Sequence, residues 1–159
     1  MTLFTTVTIV AALLGAALIG GVFFAFSSFI MKALARLPSA EGVAAMQSIN
    51  VVVLNRSFLG AFMGTAALSL LVAVLAIIGW GTPSAPYAFA GGLSYLGATF
   101  VVTLLGNVPL NNRLAAVSVT DSDATAVWEH YLKRWTRLNT LRTAGSMAAA
   151  LLFTLGLMQ

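Results

Sequence analysis

Residues 143–158 read Thr-Ala-Gly-Ser-Met-Ala-Ala-Ala-Leu-Leu-Phe-Thr-Leu-Gly-Leu-Met, sixteen uncharged residues that follow Arg142 and stop one short of the final Gln159. As a helix rising about 1.5 Å per residue they extend roughly 24 Å, less than the ~30 Å of a hydrocarbon bilayer core. A spanning helix here has to begin earlier. The turn holding Asn139 and Arg142 is therefore expected inside the apolar layer or at its edge.

Three other stretches are long and uncharged. One runs from about Thr2 to Met31 and ends at Lys32. One runs from Ser57 to Trp80 and ends at Gly81-Thr82-Pro83. One runs from Pro86 or Tyr87 to Gly106, ahead of Asn107 and Pro109. Each reaches the ~20 residues that a membrane helix requires. Composition agrees: 60% of the 159 residues are hydrophobic and 8% charged, with a mean hydropathy of +0.98. A soluble domain is about a quarter charged. The expected fold is an all-α bundle of four transmembrane helices in one domain, 1–159, with spans near 3–31, 57–80, 86–106 and 139–158.

Two cytoplasmic extensions complete it. From Ser39, a candidate cap with Glu41 in the first turn, a mixed segment is expected to run as helix into the second span, with room for a bend. Asp121 or Asp123 is expected to cap a last helix running from about Ala124 to the C-terminus. The first segment carries no charge and is longer than the about 7–15 apolar residues of a signal core, so it reads as a retained helix. Gly60-x-x-x-Gly64 has the spacing of closely packed membrane helices, read here as packing within one bundle rather than a dimer seam.

All eight basic residues fall in the first and third connections or beside them: Lys32, Arg36 and Arg56, then Arg113, Lys133, Arg134, Arg137 and Arg142. Four spans place those connections on one face. Positive-inside puts that face in the cytoplasm and both termini outside, in the cell (inner) membrane. The net charge of +4 is spread without the basic run that suggests nucleic-acid binding. With no cysteine, disulfides, thiolate metal sites and a cysteine nucleophile are excluded.

The same face collects the unusual polar residues. Gln47, Asn50 and Asn55 precede the second span, Asn107, Asn111 and Asn112 follow the third, and Trp128, Tyr131, Trp135, Asn139 and Arg142 precede the fourth. Trp128, Leu132, Trp135, Asn139 and Arg142 recur at steps of four and three, which puts them on one helical stripe. An aromatic stripe ending in an amide and a guanidinium suits a pocket wall, and an intramembrane arginine is a functional suspect by default. Blander roles compete. Trp128 and Tyr131 could form an interfacial belt, Arg142 could snorkel to phosphates, and Asn107 and Asn111 could cap helix ends. His130, the only histidine, lies off the stripe among charged neighbours, where a solvated role competes with that of a general base.

One histidine and four acids (Glu41, Asp121, Asp123, Glu129) make no metal-ligand pattern, so no metal and no organic cofactor are expected. Ser27-Ser28 has no partner base, and there is no Gly-rich phosphate loop after a strand. No charged residue sits mid-span and no inverted repeat relates the halves, which argues against a proton-coupled pump and leaves a passive carrier open.

Certain strings are similar to those of a known family. Gly21-Val22-Phe23-Phe24-Ala25-Phe26-Ser27 with Met31, Leu37-Pro38, Gly42 with Ala45 to Asn50, and Asn55 with Phe58 resemble the first half of the anthrone-oxygenase-like membrane family. Gly106 to Asn111, then Trp128, Tyr131-Leu132, Trp135-Thr136, Asn139 and Arg142-Thr143 resemble its second half. The resemblance implies a four-helix membrane protein. It also implies, by analogy with fungal members, oxidation of an anthrone or phenol-type aromatic by molecular oxygen without a cofactor. Many members have a tryptophan and a histidine flanking the asparagine where this chain has Leu138 and Thr140. Under that reading Arg142, with Asn139, Asn107 and Asn55, stabilises an enolate oxygen, while Trp128 and Trp135 stack on the flat substrate and Asn50, Asn111 and Tyr131 line its site. The base is His130 or a water held by the amides. The expected partners are the lipid bilayer and a small hydrophobic aromatic, with homo-oligomerisation open. The alternatives are a non-catalytic binder or carrier of a hydrophobic molecule or lipid, and a small subunit of a membrane complex.

Overall fold

The computed structural model describes residues 2–118, 120–121 and 123–159. Among them the secondary structure is entirely helical: α1 (Leu3–Leu34), α2 (Ser39–Val52), α3 (Arg56–Ile78), α4 (Ala85–Ala115) and α5 (Ala124–Leu157). All but α2 are long and apolar enough to cross a membrane. They form a ring in which α1 packs on α3, α3 on α4, α4 on α5 and α5 back on α1. Their outward faces carry Leu14, Leu18, Leu70, Ile77, Leu105 and Leu151, all exposed. An apolar exterior on this scale is stable only against lipid. This is a multi-pass membrane protein.

At 34 residues α5 is about 51 Å long, so it outreaches the bilayer and its first turns lie beyond the apolar layer. The short apolar run at 143–158 is thus completed by the helix upstream of it. The caps differ from expectation. Ser39 is already helical, preceded by Pro38, and makes no capping bond. Asp123 precedes α5 without a side-chain cap, while Asp121 Oδ2 accepts from the Ser118 N–H at 2.8 Å. The extension ahead of the second span is helical, but a turn at 53–55 separates α2 from α3. There Asn55 accepts from the Phe58 N–H at 2.9 Å and donates to the Val52 carbonyl at 3.0 Å.

Where the α3–α4 turn lies, backbones approach closely. A Cβ on Gly92 would lie 2.6 Å from the Ser69 carbonyl oxygen, and one on Gly91 2.7 Å from the Phe153 ring. Gly60 and Gly64 do the opposite. Neither has a neighbour within 4 Å of a built Cβ, and both are exposed, so their pairing within the bundle is corrected: they face outward. Spacing reveals that two glycines share a face but not which face it is.

Candidate functional site

α5 supplies the site's spine. Trp128, Tyr131, Trp135, Asn139 and Arg142 are all buried along one stripe, with Leu132 only half-buried beside them. The three rings form a ladder, Trp128 on Tyr131 at 5.8 Å and Tyr131 on Trp135 at 5.9 Å between centroids. Gly42 on α2 lets the ladder close, since a Cβ there would lie 2.7 Å from the Trp128 indole. An interfacial belt would leave these rings exposed. They are core.

Asn111 on α4 fixes the ladder's orientation. Its Oδ1 accepts from Tyr131 Oη and from Trp135 Nε1, both at 2.8 Å. Asn50 Nδ2 reaches Tyr131 Oη at 3.4 Å from α2. One level down, Asn139 Nδ2 donates to the Phe23 carbonyl at 2.6 Å and to Ser27 Oγ at 2.7 Å. Its Oδ1 accepts from Arg142 Nη2 at 2.6 Å. Arg142 Nη1 donates to Thr103 Oγ1 at 3.2 Å, and the guanidinium carbon lies 4.0 Å over the Phe23 ring and 5.1 Å from the Trp135 ring.

The electrostatics here are unusual. Arg142 is 4% exposed, and its hydrogen-bond acceptors are both neutral. All four acids of the chain are exposed. Among the described residues its Nε has no partner, and Asn107 Oδ1 is likewise buried and unpaired. A buried cation without an anion is costly, and cation–π contact offsets only part of that cost.

Arg142 also borders a cavity of about 210 Å³. Its walls are apolar and aromatic: Phe23 and Phe26 from α1, Met46 from α2, Phe58 and Phe62 from α3, and Trp135 from α5. The polar groups at its edge are Arg142, Thr103, Asn50 and Asn111. An apolar pocket with few convergent polar groups is the usual form of a small-molecule site.

Residues 52–152, more than half of the chain, match the family model described as anthrone oxygenase. The chain belongs to the anthrone oxygenase family. No curated protein and no solved structure matches it.

Of the residues singled out from the sequence, the structure brings Arg142, Trp135, Asn50 and Asn111 to the cavity of this family member, with Asn139 holding Arg142 from behind. Tyr131 and Trp128 stand behind Trp135. Asn107 is buried but turned to the Trp135 backbone carbonyl, which accepts from its Nδ2 at 3.3 Å. Two residues stand apart. Asn55 caps α3 and is exposed, so its convergence with Asn107, Asn139 and Arg142 is corrected. His130 is exposed and borders a different, shallow groove with Pro109, Arg134 and Leu138. Thr140, flanking Asn139, is exposed and donates to Ser27 Oγ at 3.1 Å. Phe23, Phe58, Phe62 and Thr103 were missed, because a phenylalanine in an apolar span reads as core. Thr103 lies in one of two π-helical stretches of α4, Tyr95–Val101 and Thr103–Asn107. Such stretches gather at functional sites, but composition does not reveal them. Among the described residues, no three His, Asp or Glu side chains come together as metal ligands.

Proposed function

We propose that this protein oxidises a flat anthrone or phenol-type aromatic with molecular oxygen, in the cavity beside Arg142 and without a bound cofactor. The observation that carries the reading is the buried, anion-free guanidinium at the edge of an aromatic-walled cavity. A substrate oxygen that becomes negative during reaction supplies the missing counter-charge. Preorganised donors aimed at developing charge give the largest electrostatic contribution to such steps.

The chemistry balances with oxygen as the only oxidant. Loss of a proton from the anthrone CH₂ gives an enolate, its oxygen paired with Arg142. The carbanion carbon passes one electron to O₂, and the radical pair joins as a C–O bond. The resulting peroxide takes up a proton. Loss of the second CH₂ proton then forms the new carbonyl as the O–O bond breaks. The products are one quinone and one water. Trp135 and Phe23 flank the ring system, and the amides of Asn50 and Asn111 hold the water that accepts the first proton.

Purified protein given an anthrone is expected to consume oxygen stoichiometrically with quinone formed, and Arg142→Met to abolish this while the helix content persists. Undiminished turnover in Arg142→Met overturns the reading. The exposed position of His130 favours a second reading, a carrier that binds such aromatics without catalysis. There, ligand co-purifies and no oxygen is taken up.

We further propose that the basic end faces the cytoplasm, from the positive-inside rule. In this cysteine-free chain Arg113→Cys should label only from inside and Gly81→Cys, exposed in the α3–α4 turn, only from outside. The reverse pattern inverts the topology.

A further inference from the structure

The cavity's position raises the question of how it is filled. Against α5 and the middle of α2 it is closed. The Trp128–Tyr131–Trp135 ladder is buried, Met46 is buried beneath α2, and α2 is tied down by Gln47. The Gln47 Nε2 donates to the Leu114 and Val117 carbonyls at the end of α4, both at 2.9 Å. Toward the bundle middle it is closed by Phe23, Phe58 and Phe62, whose rings lie 6.0–6.4 Å apart.

The remaining side is open. α3 and α4 pack tightly along Ala85–Ser94, and their contact thins over Tyr95–Val101. Along this side, from the α2–α3 turn into the gap, cavity-lining side chains are also exposed: Leu54 65%, Leu59 37%, Met63 51%, Leu104 48% and Val108 38%. All are apolar. Leu59 and Met63 lie within about 10 Å of Arg56, at the start of α3, which sets the gap just inside the apolar layer. A water-facing mouth would carry a polar rim. This one faces acyl chains.

We propose that the cavity is loaded sideways from the bilayer, through a slot between α3 and α4 gated by Met63 and Leu104. The occupant is a membrane-dissolved flat aromatic that enters ring-first and meets Arg142 only at the far wall. This inference rests on the cavity's being the ligand site but not on its performing oxidation.

The test uses Trp135 as reporter. Trp80→Phe removes the exposed tryptophan near the α3–α4 turn, leaving Trp135 at the cavity and Trp128 behind it. In phosphatidylcholine vesicles, iodobenzene dissolved in the bilayer is expected to quench Trp135, and aqueous iodide is not. Adding Met63→Phe with Leu104→Phe should lower iodobenzene quenching at least twofold, whereas Leu93→Phe, exposed elsewhere on α4, leaves it unchanged. Helix content by circular dichroism confirms that each variant folds. Equal quenching in the plugged and open proteins overturns the slot, as does iodide quenching as strong as iodobenzene's or an equal fall with Leu93→Phe. Anthrone turnover measured in parallel separates the two proposals. Plug-insensitive quenching with turnover intact removes only the slot, and plug-sensitive quenching without turnover removes only the oxygenase.

Discussion

The two ends of the bundle are built in opposite ways. Near the α3–α4 turn, Gly91 and Gly92 bring α4 against Phe153 and the Ser69 backbone, and Ala76, Ala85, Ala88 and Ala149 fill the core with small side chains. The basic end instead spends large aromatics, five buried or half-buried amides and one guanidinium around an unfilled space. The first arrangement maximises helix–helix contact, the chief source of association in lipid, where burial from water contributes little. The second leaves a charged guanidinium nitrogen and an amide oxygen unpaired and volume empty, all destabilising, where the first strands only the Ser69 hydroxyl among the described residues. The difference teaches that close packing is concentrated at one end while the other keeps a cavity.

The largest effect that would sharpen this contrast is at Arg142. Arg142→Met is expected to lower anthrone turnover at least about a hundredfold, since a donor to developing charge is lost. The melting temperature of the same variant should hold or rise, because an unpaired buried charge is gone. A large fall in melting temperature would show that the guanidinium is structural.

Next comes Gly92→Ala. The new methyl meets backbone rather than a movable side chain, at a cost of about 1–3 kcal/mol. That should appear as a melting temperature lower by several degrees in detergent, with the Trp135 emission maximum unchanged. Were the two ends not distinct, the emission would shift as well.

Asn111→Leu should act at the other end. Stranding Trp135 Nε1 and Tyr131 Oη costs about 1–3 kcal/mol and frees the Trp135 ring. Affinity for an aromatic ligand is expected to fall tenfold or more, read by titration of Trp135 fluorescence, with a loss of stability comparable to that in Gly92→Ala.

The smallest effect belongs to Gly60→Ala. With open space around it and a helical backbone, the added methyl should leave the melting temperature unchanged or raise it slightly. A clear fall would mean that this face packs against something, a second copy of the chain being the first to test by cross-linking.

Much of this contrast was legible in the residues, for reasons of length and cost. The deficit of residues 143–158 against the bilayer forces α5 to start upstream, and α5 does run from Ala124 to Leu157. Arg142 was legible because a charge in that layer must have a purpose. The amides were only half legible. Asn55 and Asn111 are the same chemical group near the same membrane level, yet one caps a helix and the other orients two rings. What separates them is a three-residue turn and the direction in which each helix faces. Phe23 and Thr103 were hidden for a related reason: their partner, Arg142, lies 119 and 39 positions away.

The π-helical stretches of α4 carry one more consequence. Each widens the turn by an additional residue, so the helix beyond is rotated by about 100° from where an unbroken α-helix would set it. Thr103 and Asn111 owe their inward aim to that offset. A one-codon deletion between Tyr95 and Val101 would restore regular α-helical winding through the first stretch, at nearly the same hydropathy, and turn both residues away from the cavity. Gene variants with single-residue indels in this stretch should therefore insert into the membrane normally and yet be functionally dead.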